Sequence, residues 1–118
     1  MFQAETFDPD TIGRELTWAA DLGLNSIRLF LHDLLWRTDD TFLDRVEHVL
    51  ELADAVGIGV MPVLFDGVWN PVPHLGDQGR PRPGVHNSMW VQSPGAAVIR
   101  DPSRWEQLHE YVDAVLAR

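Results

Sequence analysis

Twice in this chain an apolar helical stripe runs into a glycine and then directly into a short β-rich run, once in "TWAADLGLNSIRLFL" and again in "LELADAVGIGVMPVLF". Helix–strand alternation with turns this tight implies parallel strands joined by crossovers, which is the grammar of α/β folds. It also sets a constraint. Parallel sheets are covered on both faces, and two strands are too few to stand alone.

The helical parts carry their own boundaries. In "FDPDTIGRELTWAADLG", Asp8 is placed to cap and Pro9 to occupy the first helical position, where its missing N–H costs nothing. Ile12, Leu16, Ala19 and Ala20 then recur at helical spacing, and Gly23 supplies the left-handed stop. The second helix takes its cap from among Thr38 to Thr41. It buries a stripe of Phe42, Val46, Val49, Leu50, Ala53 and Val56, and ends at Gly57. Asp101 and Pro102 restate the Asp-Pro start for a third helix, with a stripe of Trp105, Leu108, Val112, Val115 and Leu116. Strands are expected over residues 25–31 and 58–65. Pro62 counts against the second, because proline removes a ladder donor and sits at edges or bulges.

Between the second strand and the third helix, residues 64–101 hold about a third of the chain without a helical or strand period. Structureless loops longer than ~12–15 residues are uncommon in compact domains. The order is thus helix, strand, helix, strand, long loop, helix. In barrels of eight strand–helix units, which take roughly 250 residues, the site is built from the loops that follow the strands. On that pattern the loop is one wall of a site, and the expected fold is α/β, a partial (β/α)₈ barrel with two parallel strands.

Composition removes several function classes. The formal net charge of −9 disfavours a nucleic-acid partner and an anionic membrane surface. No apolar run approaches the ~18 residues of a membrane span. The start "MFQAETFDPD" has neither a basic nor an apolar leader region, so no signal peptide is visible and a cytoplasmic location is the default expectation. With no cysteine, disulfides and thiolate metal sites are excluded. His74 and His86 stand about a dozen residues apart with no HxH or HExxH spacing, so no metal ligand set is expected. "SPGAA" lacks the ending of a phosphate cradle, and no GxSxG elbow occurs. No cofactor is implied.

The candidate binding residues follow the strands. By the period of two, Ser26, Arg28, Phe30 and His32 share one strand face, and Ile27, Leu29 and Leu31 the other. The apolar face packs on helices; the polar one points toward a barrel interior, where a buried Arg28 needs a carboxylate partner or orients a catalytic one. His32 and Asp33 follow the first strand and Asp66 the second, and parallel strands about 4.8 Å apart bring Asp33 and Asp66 near each other. Both are hydroxyl acceptors for a polar ligand, an acid pair of their own, or simply turn and cap residues. Trp36, Trp69 and Trp90 fall in strand-to-helix connections, where flat rings suit the C–H faces of sugars, or clamp the loop to the body. His86 and Asn87 complete the set.

The stretches "WAADLGLNSIRLFLHDLLW", "LFDGVWNPVPHLG" and "PRPGVHNSMWVQSPGAA", the last followed by "DPSRW", resemble the early portion of cellulase- and xylanase-like (β/α)₈ glycoside hydrolases of the large retaining clan. The similarity covers nearly the whole chain. It implies one incomplete segment over residues 1–118, holding the second and third strand–helix units and cut at both ends. It implies retaining hydrolysis of β-glycosides of the glucan or xylan kind by two glutamates, their carboxyl groups ~5–5.5 Å apart. In that clan those residues stand at the ends of the fourth and seventh strands, the first within an Asn-Glu pair, which is missing here. Arg28 matches the clan's second-strand arginine, and His32, Asp33, Asp66, Trp69, His86, Asn87 and Trp90 line the sugar cleft by position. No residue of this chain takes a catalytic role.

The expectation is therefore a glycoside hydrolase fragment that is inactive alone and associates through unpaired barrel edges. Two other readings stand beside it: a non-catalytic carbohydrate-binding or interaction module, and an enzyme complete in itself that uses Asp33 and Asp66.

Overall fold

The computed structural model describes residues 3–68 and 70–118. Helix α1 spans Pro9–Asp21, strand β1 Ser26–Phe30, helix α2 Asp33–Thr38, helix α3 Phe42–Asp54, strand β2 Gly59–Val63, helix α4 Ala96–Ile99 and helix α5 Glu106–Leu116. The architecture is mixed α/β around a two-stranded parallel sheet in which Ser26 pairs with Gly59 and Phe30 with Val63.

Local chemistry sets the boundaries. The Asp8 carboxylate accepts from the Thr11 N–H at 3.1 Å, which satisfies an orphan donor of α1 and holds the Asp8 pKa below its ordinary value. Gly23, at φ 84°, turns the chain out of α1 and donates to Ala20 O at 2.8 Å. Gly57, at φ 74°, ends α3 in the same way. Asp39 organises the start of α3: its Oδ1 accepts from Thr41 N at 3.0 Å and Thr41 Oγ1 at 2.7 Å, and its Oδ2 pairs with the Arg45 guanidinium. That arginine bond, with Thr41 behind it, pulls the Asp39 pKa down to about 2.

Pro62 does lie inside β2. Gly59 N donates to Asn25 O, and Val63 O accepts from Leu31 N, so the odd-numbered peptide groups face β1. Pro62 is out of phase with them, and its nitrogen faces away from β1. It removes no bond of this ladder.

Helices cover one sheet face. Leu29 and Leu31 pack with Leu35, Phe42, Val46, Val49, Tyr111 and Val115. A second cluster of Leu16, Ala53 and Ile58 joins α1 to α3, with Ile12 and Val60 bordering both. The stripes of α1 and α3 are those the sequence predicts. That of α5 is shifted. Tyr111 and Val115 are buried, whereas Trp105 and Leu116 are 46% and 74% exposed. A large aromatic with one polar atom is the better filler here, because its ring reaches both Trp36 and Phe65 at 5.8 Å between centroids. The predicted third-helix start at Asp101-Pro102 forms one 3₁₀ turn, Pro102–Arg104, before α5 begins.

The opposite sheet face carries Arg28 and, beside it in register, Met61, which is 62% exposed. The segment after β2 is ordered by polar bonds. Asp66 and Ser93 form an antiparallel bridge, and Asn70 and Val91 a parallel one. Gln3 ties the chain's start to this segment through two bonds to Gly76, Nε2 donating to its carbonyl at 3.1 Å and Oε1 accepting from its N–H at 2.6 Å.

Candidate functional site

Both strands run toward the same end of the molecule, and there a cavity of about 240 Å³ opens. Phe30, Leu31 and His32 line it from the end of β1; Asp66, Gln78, Met89, Trp90, Val91 and Ser93 line it from the long segment. The bridge between Asp66 and Ser93 closes that segment back on itself, with N–H to carbonyl distances of 2.8 and 3.0 Å. Asn70 N then donates to Trp90 O at 3.2 Å, which sets the indole of Trp90 edge-on against Phe30, 4.8 Å between centroids. The Arg28 guanidinium lies over the same Phe30 ring, 5.4 Å from its centre. Arg28 is thus an exposed cation on an aromatic face. The expected buried arginine needing a carboxylate is corrected, because the long segment covers this face only at Phe30 and His32 and leaves Arg28 and its neighbour Met61 exposed.

Behind the cavity wall lies a buried polar knot. Asp33, the first residue of α2, is 1% exposed, His32 3% and Ser93 3%. The Ser93 hydroxyl donates to Asp33 Oδ1 at 3.1 Å and accepts from the Asp33 N–H at 3.1 Å. Arg37 reaches Asp33 Oδ2 at 3.3 Å. Burial pushes the Asp33 carboxyl up, but the hydrogen bond and charge of His32, the Arg37 charge and the Ser93 hydroxyl outweigh it and leave its pKa below the ordinary value. Tyr111 answers on the other side: burial first, then the Asp33 charge, push its phenol far up, so it stays neutral.

His32 serves two partners with one nitrogen. Its Nδ1 accepts from the Leu34 N–H at 3.1 Å, capping α2, and lies 3.4 Å from Asp33 Oδ1. A neutral ring with its proton on Nε2 makes the cap; a protonated ring donates to Asp33 instead. In the capping form Nε2 is buried without a partner among the described residues.

The sequence-predicted residues therefore separate. His32, Asp66 and Trp90 meet around one cavity. Asp33 stands behind its wall, joined to Ser93 by side chain while Asp66 joins Ser93 by backbone. Asp66 also accepts from Val68 N at 3.1 Å, a turn-capping bond. Trp36 is half-buried against Tyr111, a core contact rather than a stacking platform. His86 is exposed and Asn87 sits at φ 54° in a turn, neither lining this cavity. Trp69 lies outside the described residues. Phe30, Gln78, Met89 and Ser93 were missed as site residues. Only Phe30, on the same strand face as His32, had a sequence signal.

Among the described residues, no group of three His, Asp or Glu side chains is placed to hold a metal ion, and no helix is long and apolar enough to cross a membrane. No protein-family model, characterised protein or solved structure matches this chain.

Proposed function

We propose that this chain is a carbohydrate-binding segment of a glycoside-hydrolase-type (β/α)₈ barrel, its second and third strand–helix units, and that it has no hydrolytic activity by itself. The observation that carries the reading is the convergence of His32, Asp66 and Trp90 on one cavity where two parallel strands end. An indole against a carboxylate suits a sugar ring, with its apolar C–H face and its rim of hydroxyls. Helices cover one sheet face while Arg28 and Met61 on the other stay exposed, which agrees with a barrel wall.

Retaining hydrolysis needs two carboxyl groups about 5–5.5 Å apart. Asp66 is the one carboxylate lining this cavity among the described residues, and Asp33 is committed to Ser93 and Arg37. Glu15, Glu47, Glu51, Glu106 and Glu110 all lie on α1, α3 and α5. A self-contained enzyme built on Asp33 and Asp66 is disfavoured by the same bonds. In isolation, the outer edges of β1 and β2 have no strand partner among the described residues, and concentration-dependent association is expected by sedimentation.

Titration calorimetry with cello- and xylo-oligosaccharides tests the reading, alongside an aryl-glycoside turnover assay. Binding that weakens at least tenfold in Trp90→Ala and Asp66→Asn, without turnover, supports it. Absence of binding sinks it, as does turnover abolished by Asp66→Asn.

A further inference from the structure

On the far side of the Asp33–Ser93 wall lies a second cavity, of about 520 Å³. Its floor is apolar, formed by Leu34, the strap from Pro71 to Pro73, and Ala96 to Val98. Its polar lining is unlike the rest of the molecule. Arg37, Arg100 and Arg104 stand around it against the single carboxylate of Asp33. The chain has nine basic residues against 18 acidic ones, and a third of the basic ones gather here. Arg37 is held by Asp33. No side-chain hydrogen bond or ion pair engages Arg100 or Arg104 among the described residues. Asp101, their neighbour in sequence, turns its Oδ1 to the N–H and hydroxyl of Ser103 at 3.1 and 2.6 Å instead.

Two unpaired guanidinium groups beside a third that is already paired repel one another, and an anion placed among them relieves that repulsion. The planar fork of arginine matches a carboxylate with two parallel bonds. The floor adds a requirement for an apolar surface on the ligand, which a small inorganic ion lacks. The volume falls in the range of sites for small organic ligands.

We propose that this second cavity is a binding site for a carboxylate carried on a ring with an apolar face, held by Arg100 and Arg104 over the Pro71–Pro73 strap. The anion site stands on the arginines alone. Its assignment to an acidic sugar, a hexuronate, rests on the carbohydrate reading above. The two cavities share one wall, since Ser93 lines the first and its bonding partner Asp33 the second.

The test is calorimetric titration of the full chain with glucuronate, glucose and sulfate, at low and at 0.3 M salt, in the parent and in the double variant Arg100→Gln/Arg104→Gln. Both arginines lie outside the two core clusters, so the variant's melting temperature should match the parent's. Glucuronate is expected to bind, to weaken with salt, and to lose about tenfold or more in the double variant, while glucose does not bind this cavity. Neutral xylo-oligosaccharide binding at the first cavity should be unchanged in that variant. Failure of glucuronate to bind, or equal binding in the double variant, overturns the site. Sulfate binding as tight as glucuronate overturns the assignment to an acidic sugar. If glucuronate binds through the arginines while neutral oligosaccharides never bind, the anion site stands and the carbohydrate reading of the first cavity falls.

Discussion

Two halves of this molecule are built by different physics. In the helical half, the packing rests on apolar burial: Phe42, Ala53 and Tyr111 are fully enclosed, and Leu29, Leu31, Val46 and Val49 close around them. In the segment that follows β2, no described residue from 64 to 92 is buried. It is nonetheless folded, by side chains that bond to peptide groups nearby or across it. Gln92 Nε2 donates to Gly67 O at 2.9 Å, Ser88 Oγ accepts from Arg82 N at 2.7 Å, and Asp77 Oδ1 accepts from Gly79 N at 2.7 Å. Shape without burial is what a site needs: the segment keeps its aromatic and polar groups open to a ligand while fixing where they stand.

The sharpest contrast is between deletions in the two halves. Phe42→Ala, at a fully buried position, should cost about 3–5 kcal/mol in urea denaturation. Trp90→Ala, at a residue 38% exposed, should cost about 1 kcal/mol or less. Equal losses would erase the distinction between the halves.

Gly95→Ala probes the seam between them. A Cβ at Gly95 would stand 2.5 Å from Pro73 Cδ and 2.9 Å from Pro73 Cγ, atoms of a rigid ring that cannot swing aside. We expect a loss of about 1–3 kcal/mol in thermal melts, together with loss of anion binding at the second cavity, whose floor this strap forms. A melt and titration unchanged from the parent would show that the strap is free to move.

The smallest effect is electrostatic. The Asp39 pKa is held down at about 2 in the fold, so the Asp39–Arg45 pair contributes fully above the unfolded carboxylate value near ~3.9 and is lost as pH falls toward 2. The Asp39 side chain keeps 22% of its exposure, and solvent screening reduces the contribution to about 1 kcal/mol. Asp39→Asn should therefore be less stable than the parent by that amount at pH 6, and the gap should close by pH 2. A gap that persists at pH 2 would assign the effect to lost hydrogen bonds rather than to charge.

The same division explains what could be read from the residues alone. Helices α1 and α3 and both strands were legible because apolar spacing, caps and terminal glycines record them locally. The short helix α2 was not: its cap is a histidine, and its six residues give one buried leucine, too little for a period. Within the site, His32, Asp66 and Trp90 were legible as residues that follow strands. Ser93 was not legible as a site residue, because its importance lies in bonds to Asp33 and Asp66, 60 and 27 positions away, and no spacing rule spans them. Arg28 was legible as a strand residue but not as an exposed one, since its exposure depends on what covers the sheet.

The paired bonds between Gln3 and Gly76 act as a clasp across 73 positions of chain. In Gln3→Ala the melting temperature should match the parent's, since the clasp carries no part of either hydrophobic cluster. Yet the variant's polar segment would be unfastened near the turn that holds Gln78 beside the first cavity. A residue near the amino terminus thus helps to set the shape of a site that it does not line.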